Sequence, residues 1–571
     1  DLLRGLASRM QAISGPGRLT PAGAGEEAAL ARLAGFEDFA GLKAVADGAA
    51  ADARNALAFL QAGPQAAFAP YRSGAASAAS SEDSAHGAGA VDAGKLEDLG
   101  FSDGAALSRV VDTWADGWTR PSAPQPGARF SAVAPGLLTA FGEAQHPDEA
   151  VALFDRLMET EGANGPVIKC AAGEGRARDA LVDAIGCFGG LIRPLTASPD
   201  GAARLLGATQ DAALHTAPDT GAAWLSRNAP PAASADPSAL AAWRAENIAA
   251  IAASAAARAM PFGAAAEALE AVHNATLATL FTMTAGGAIE RGLTLHVFDG
   301  PARGLPGARS LIGFLSTGEA SDENEADART FVEALYEFDN GRFAFAPEVS
   351  HRPGGVGGPL APDEAAFKAY VQSEAVASDQ ILLARARVIA GEEGATARGG
   401  EILRAAVSNP KRADILFRDL DRARMQRMRR ERAASEWDLD RIEGGLSDIE
   451  LIVSTLIYRH AAALPALQKG DAGEALAAMA RANVISGDVA ATLTSARAFW
   501  TRLATVKALA DWKDPQQDPI RKRFAALLAA AAEVDRFQQV RPLMRGYAEE
   551  ANRLYSQLVL GRPAVGLVAN A

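Results

Sequence analysis

Cysteine is almost missing: the 571 residues hold two, Cys170 and Cys187. A structural zinc site takes four nitrogen or sulfur ligands, and no further Cys or nearby His pair completes one around either residue. Both therefore read as reduced, buried thiols, and no disulfide framework is expected, which suits a cytoplasmic location. Histidine is sparse and scattered, at 86, 146, 215, 273, 296, 351 and 460, with no His-x-x-x-His or His-Glu-x-x-His spacing. No apolar run reaches the ~20 residues that span a bilayer, so no membrane is expected. Positive charge is also in deficit. The net charge is −13 and the pI about 5.2, which argues against general affinity for nucleic acid. There is no Gly-x-Ser-x-Gly elbow and no full Walker loop.

Abundant alanine points to helix, because alanine loses no side-chain rotamer entropy there. Aromatics, at 6%, are few. The length suggests three or four domains. The chain opens at Asp1-Leu2-Leu3-Arg4, with neither an initiator Met nor a secretory signal, inside what reads as a helix. We expect it to be part of a longer protein. Helical periodicity covers 2–13 and 24–61, and a stretch rich in Ala, Gly, Ser and Pro over 62–92 reads as a linker. A second helical region follows, broken at Pro121–Gly127 and Pro218–Pro237. It ends in long patterns over Leu240–Met260 and Gly263–Thr282. The texture then changes. Leu293–Phe298, Ser310–Thr317 and Gly341–Ser350 read as strands bounded by Gly and Pro, with a helix at 325–337 between the last two. Helices resume at Glu364 and continue to about 560. Phe39, Leu42, Val45, Ala53 and Leu60 align at one offset with Phe537, Val540, Leu543, Ala551 and Leu558, which suggests a distant repeat.

Several segments carry a family resemblance. Trp437 to Val453 contains Gly444-Gly445-Leu446-Ser447-Asp448-Ile449-Glu450. An Arg-rich helix, 414–432, precedes it. Upstream lie Leu382–Gly391, the loop Arg352-Pro353-Gly354-Gly355 with Gly358-Pro359-Leu360, and Leu99-Gly100-Phe101-Ser102-Asp103. In order and spacing these resemble the glutamine-synthetase adenylyltransferase family. Its members carry two tandem units, each a nucleotidyltransferase domain followed by a helical bundle; one unit adds AMP to a tyrosine of glutamine synthetase and the other removes it by phosphorolysis. The resemblance implies a mainly α protein, with helical bundles flanking one small α+β, polymerase-beta-like nucleotidyltransferase domain. We expect a helical tail of an upstream unit at 1–61, a linker at 62–92, and a helical region at 93–240. A nucleotidyltransferase-like domain at 241–395 and a carboxy-terminal bundle at 396–562 complete the chain.

The chemistry implied by the family is ATP-dependent and needs Mg²⁺ held by carboxylates. Its Asp-x-Asp strand places both groups on one face, because alternate strand residues share a side. Here the matching strand is Gly307-Ala308-Arg309-Ser310-Leu311-Ile312, so Arg309 and Leu311 occupy the Asp positions and neither binds Mg²⁺. Glu348 falls on the third carboxylate and is the surviving candidate for metal binding and catalysis, while Ser350 replaces an Arg. Asp440 stands where the signature has a basic residue. Arg303 and Gly304 occupy the Gly-rich phosphate loop. Arg352, Gly354, Asp448 and Glu450 complete the expected nucleotide-binding set.

Plainer readings stand beside these. The acidic run Glu319, Asp322, Glu323, Glu325 and Asp327 marks a helix start, where carboxylates meet the positive end of the dipole. Ser447 and Glu450 fit a capping box, so Asp448 and Glu450 read equally as structural and as site groups. The Arg-rich helix interleaves Asp419, Asp421 and Glu431 and reads as a mixed solvent face. Functionally we expect regulation of glutamine synthetase by AMP transfer or removal, with this portion degenerate as an enzyme. The alternative is a non-catalytic module that binds glutamine synthetase or a PII-like signal protein.

Overall fold

Helices make up most of the described chain, in keeping with its alanine content. This computed structural model describes residues 93–561, except 119–129, 162, 174–175, 212–220, 299–302, 319–320, 339–345, 409–412, 469–470, 513–514 and 517, together with residues 40 and 43. The helices expected at 2–13 and 24–61, the linker, the first copy of the repeat and Glu319 lie outside the described residues, residues 40 and 43 apart. The chain divides into two compact units, Asp1–Asp112 and Thr113–Ala571. In the first, Gly100 has φ +98 and Asp103 caps the next helix, its Oδ1 accepting from Ala106 N at 2.8 Å.

In the second unit, Trp114, Phe141 and Phe154 pack edge to face, and the Trp114 indole donates to Asp155 at 2.8 Å. Cys170 and Cys187 are both free and buried. The helix Pro237–Ala256 begins where Asp236 accepts from Ser238 N and Pro237 fixes the first helical φ. The next helix, Phe262–Glu290, outruns the pattern that ended at Thr282. It continues through Gly286-Gly287 after a kink at Ala285, whose φ is −126 and ψ 28.

The sheet has four strands in the order β3-β2-β1-β4: β1 (Leu293–Val297), β2 (Arg309–Ser316), β3 (Ala346–Glu348) and β4 (Arg387–Ala390). β1 runs antiparallel to β2 and β4, and β2 runs parallel to β3. The first three strands fall on the expected segments. β4 corrects the expectation that only helix follows Glu364. Arg387-Val388-Ile389-Ala390 is too short to announce itself by periodicity, and it becomes a strand by pairing with the edge of β1.

Alternation explains the core. Leu295 pairs with Phe314 and Val297 with Ile312. These side chains join Phe281 and Phe331 from the helices Phe262–Glu290 and Asp322–Glu337 in one hydrophobic cluster. The rings of Phe281, Phe314 and Phe331 lie 5.2 to 6.1 Å apart. The opposite face carries Thr294, His296 and Gly313.

Beyond the sheet, the helix Leu446–His460 is buried along nearly its whole length. Gly444, before it, has φ +77, and a Cβ there would lie 2.1 Å from the Ala548 carbonyl oxygen. Gly444 is thus explained by the close passage of the helix Val540–Leu554, and Gly445 by the Leu439 carbonyl oxygen, which a Cβ would approach to 2.3 Å. Trp437 stacks on Phe537 at 5.9 Å. Among the described residues no helix is long and apolar enough to cross a membrane.

Candidate functional site

β2 and β3 bring the expected metal positions together. In their parallel register Leu311 stands opposite Glu348 and Arg309 opposite Ala346. Arg309 and Leu311 share a face, as i and i+2 residues of a strand must. The Arg309 guanidinium reaches across to Glu348 Oε2 at 3.5 Å. Ser350 Oγ donates to Glu348 Oε1 at 3.1 Å, and His351 Nε2 lies 3.7 Å from the same oxygen. His351 Nδ1 is 2.8 Å from Asp379 Oδ1, and the Tyr370 hydroxyl donates to Asp379 Oδ2 at 2.6 Å. Burial works against ionisation of Asp379, but the hydrogen bonds from His351 and Tyr370 prevail and hold its carboxyl below the usual range. Burial, and then the Asp379 carboxylate, push the Tyr370 phenol up.

Glu323, Glu325 and Asp327 of the acidic run after β2 are engaged within the fold. Ser321 caps the helix Asp322–Glu337, accepting from Asn324 N. Glu323 and Asp327 pair with Arg291, and Glu325 accepts from the backbone of Leu360 and Ala361.

The residues expected to hold phosphate are engaged within the protein. Arg303 donates to Asn274 Oδ1 at 2.6 Å and lies 3.4 Å from Glu270. Gly304, with φ +78, lets the loop press on the helix Phe262–Glu290; a Cβ would come within 2.5 Å of Glu270 Cα. Arg352 donates to three carbonyls of its own loop, those of Val349, Val356 and Gly358. Gly354 has φ +70, and its N–H donates to Glu374.

Asp448 and Glu450 lie apart from this cluster, in the helical bundle. Asp448 accepts from Arg424, Arg427 and Gly444 N. Its side chain is 1% exposed and that of Arg424 5%, so the pair is buried. Glu450 is bracketed by Arg385 and Arg497. The capping-box reading is overturned. The N-cap is Gly445, which has no side chain, and Ser447 lies inside the helix. The two arginines on Glu450 come from distant segments, so no local pattern forecasts them. The Arg-rich helix corresponds to Ala413–Arg430, and Arg424 and Arg427 turn inward from what reads as a solvent face.

Comparison with known proteins points the same way as the motifs. The family model described as GlnD PII-uridylyltransferase matches residues 418–557. A bifunctional glutamine synthetase adenylyltransferase/adenylyl-removing enzyme of Caulobacter vibrioides is 34% identical over 218 residues, covering 38% of this chain and 22% of that protein. The enzyme of that name from Bradyrhizobium sp. is 26% identical over 275 residues, 47% of this chain and 26% of its own. That of Chromobacterium violaceum is 34% identical over 168 residues, 29% and 19% respectively. Over these segments the chain is similar to glutamine synthetase adenylyltransferases. Its matches span about a quarter or less of the length of these relatives.

Proteins of that name imply ATP and Mg²⁺, and the residues on β2 and β3 do not fit Mg²⁺. Mg²⁺ takes hard oxygen ligands. Arg309 and Leu311 supply none, and Glu348 already receives Arg309 and Ser350. Among the described residues no three His, Cys, Asp or Glu side chains group to hold a metal. Sequence reasoning missed His296, which is buried between Phe298 and Phe367, with neither ring nitrogen hydrogen-bonded. Burial lowers its pKa to about 3. Gly313 opposite makes room for the ring, since a Cβ there would lie 2.3 Å from Nε2. The available signal was a lone histidine in an apolar strand facing a glycine.

Proposed function

We propose that the protein takes part in regulating glutamine synthetase by AMP addition or removal at a tyrosine, and that the portion described here contributes binding rather than transfer. In this reading the region around β1–β4 is a nucleotidyltransferase-like domain that kept its framework and lost its metal site. In this reading the sequence boundaries at 61, 92, 240 and 395 mark functional segments, and the location is cytoplasmic. The partner is glutamine synthetase, the protein named in its relatives. A PII-like signal protein is a second partner under the same reading.

The observation that carries it is the Arg309–Glu348 contact beside Leu311, at the place where two Asp side chains and a third carboxylate would gather metal. A guanidinium at that place repels a divalent cation, and nucleotidyl transfer without metal carboxylates has no evident route. The test incubates the chain with labelled ATP, Mg²⁺ and glutamine synthetase. The expected result is no AMP on the synthetase and stable co-elution of the two proteins. Transfer that disappears in Glu348→Ala would overturn the loss of chemistry. Absence of both transfer and co-elution would overturn the binding role.

A further inference from the structure

The chain passes from the helix Glu364–Ala369 into a π-turn, Tyr370–Glu374, before the helix Ala377–Leu383 begins. One bond fixes the register: Ala375 N donates to Tyr370 O, five residues back, at 2.8 Å. In an α-helix that N–H would go to Val371 O. The Gln380 amide takes its place, since Nε2 donates to Val371 O at 3.4 Å and to Ala375 O at 3.3 Å. Both carbonyls can only accept, so Nε2 faces them and Oε1 is turned the other way. There Oε1 accepts from the Tyr458 hydroxyl at 2.8 Å. Gln380 and Tyr458 are each 2% exposed. Tyr458 belongs to the helix Leu446–His460, so the register of the turn is held from the helical bundle.

The same turn holds the candidate site. Tyr370, its first residue, donates to Asp379, which orients His351 beside Glu348. Glu374, its last, accepts from Gly354 N at 2.9 Å, in the glycine-rich loop that Arg352 braces. A π-turn carries one residue more than the α register needs, and closing it changes the spacing and direction of its two ends. Tyr370 and Glu374 are those two ends.

We propose that the Tyr370–Glu374 turn is a two-position element that couples the helical bundle to the surface around Glu348. With the Tyr458–Gln380 contact made, the π register stands, and Tyr370 and Glu374 hold His351 and the Gly354 loop. With it broken, Ala375 N returns to Val371 O, the turn tightens and both holds are released. Coupling through such an element runs in both directions. It requires neither ATP, metal nor a particular partner, so it stands apart from the reading of β2 and β3.

The test compares the full chain with Tyr458→Phe, which keeps the ring and removes only the hydroxyl. Hydrogen exchange followed by mass spectrometry reads the segment 370–376, and selective NMR of the histidine rings reads His351. Exchange in 370–376 should rise about fivefold or more, the scale of one lost buried hydrogen bond. The His351 signal should shift with it. Thr455→Val, on the same helix, removes a buried hydroxyl that has no hydrogen-bond partner among the described residues, and it should change neither readout. Gln380→Met should reproduce both effects, and the double variant should go no further than the larger single one, because both substitutions remove the same link. The proposal fails if either readout keeps its wild-type value in Tyr458→Phe, or if exchange rises equally throughout the chain. It fails equally if Thr455→Val produces the same changes, or if the effects of Tyr458→Phe and Gln380→Met add.

Discussion

Glu348 faces Leu311 across the parallel β2–β3 ladder, and the guanidinium of Arg309, two residues earlier on the same face, reaches the Glu348 carboxylate at 3.5 Å. The Arg309 side chain is 75% exposed, so the contact adds little to stability. Its consequence is chemical, because it sets a positive charge beside the Glu348 carboxylate.

Placing two carboxylates on this face should therefore create metal binding. The wild-type chain is expected to bind no Mn²⁺ at millimolar concentration at this site. The double substitution Arg309→Asp with Leu311→Asp should bind it, because three hard oxygen ligands then share two adjacent strands. Electron paramagnetic resonance of free Mn²⁺ reads the difference. Adding Glu348→Ala to the double variant should weaken the gain.

The Arg424–Asp448 pair should behave as a buried ion pair. Asp448→Ala leaves Arg424 without its carboxylate and should cost about 3–5 kcal/mol in urea unfolding. Replacing both together, as Arg424→Met with Asp448→Leu, should recover part of the loss, since no charge is then stranded.

His296 should make stability depend on pH. Its folded-state pKa, about 3, lies below the ordinary 6.5. The unfolded chain therefore takes up a proton that the folded chain refuses. The contribution is fully present above about pH 6.5 and is lost as pH falls towards 3, at up to ~1.4 kcal/mol per pH unit. His296→Leu should remove this component from the stability–pH curve, and it should stabilise the chain at neutral pH by removing two unbonded buried nitrogens. Urea unfolding of both proteins at a series of pH values gives the difference directly.

Gly444→Ala should destabilise the bundle by about 2 kcal/mol, through a left-handed φ and a clash with a backbone oxygen. Thermal unfolding reads this. Ala548→Gly should not rescue it, because the obstructing atom is the carbonyl.

Periodicity located much of the fold. The strands β1 and β2 follow from alternation in Leu293–Val297 and Arg309–Ser316, and the helix after β2 follows from its acidic first turn. The shared face of Arg309 and Leu311 was also legible, because strand period alone puts i and i+2 on one face. β4 was not, since four residues carry too little pattern and only the free edge of β1 makes them a strand.

The amino-acid sequence by itself determined the helical character, the place of the small sheet and the family resemblance. Each of these is local: propensity, periodicity, or the identity of a side chain at a motif position. Only the tertiary structure decided the partners. Glu450 meets Arg385 and Arg497 across separations of 65 and 47 residues, and Arg303 turns to Asn274 instead of outward. A charged side chain entering a low-dielectric interior must find a counter-charge wherever packing offers one. That choice belongs to the whole fold, and it converted expected nucleotide ligands into the internal supports of the protein.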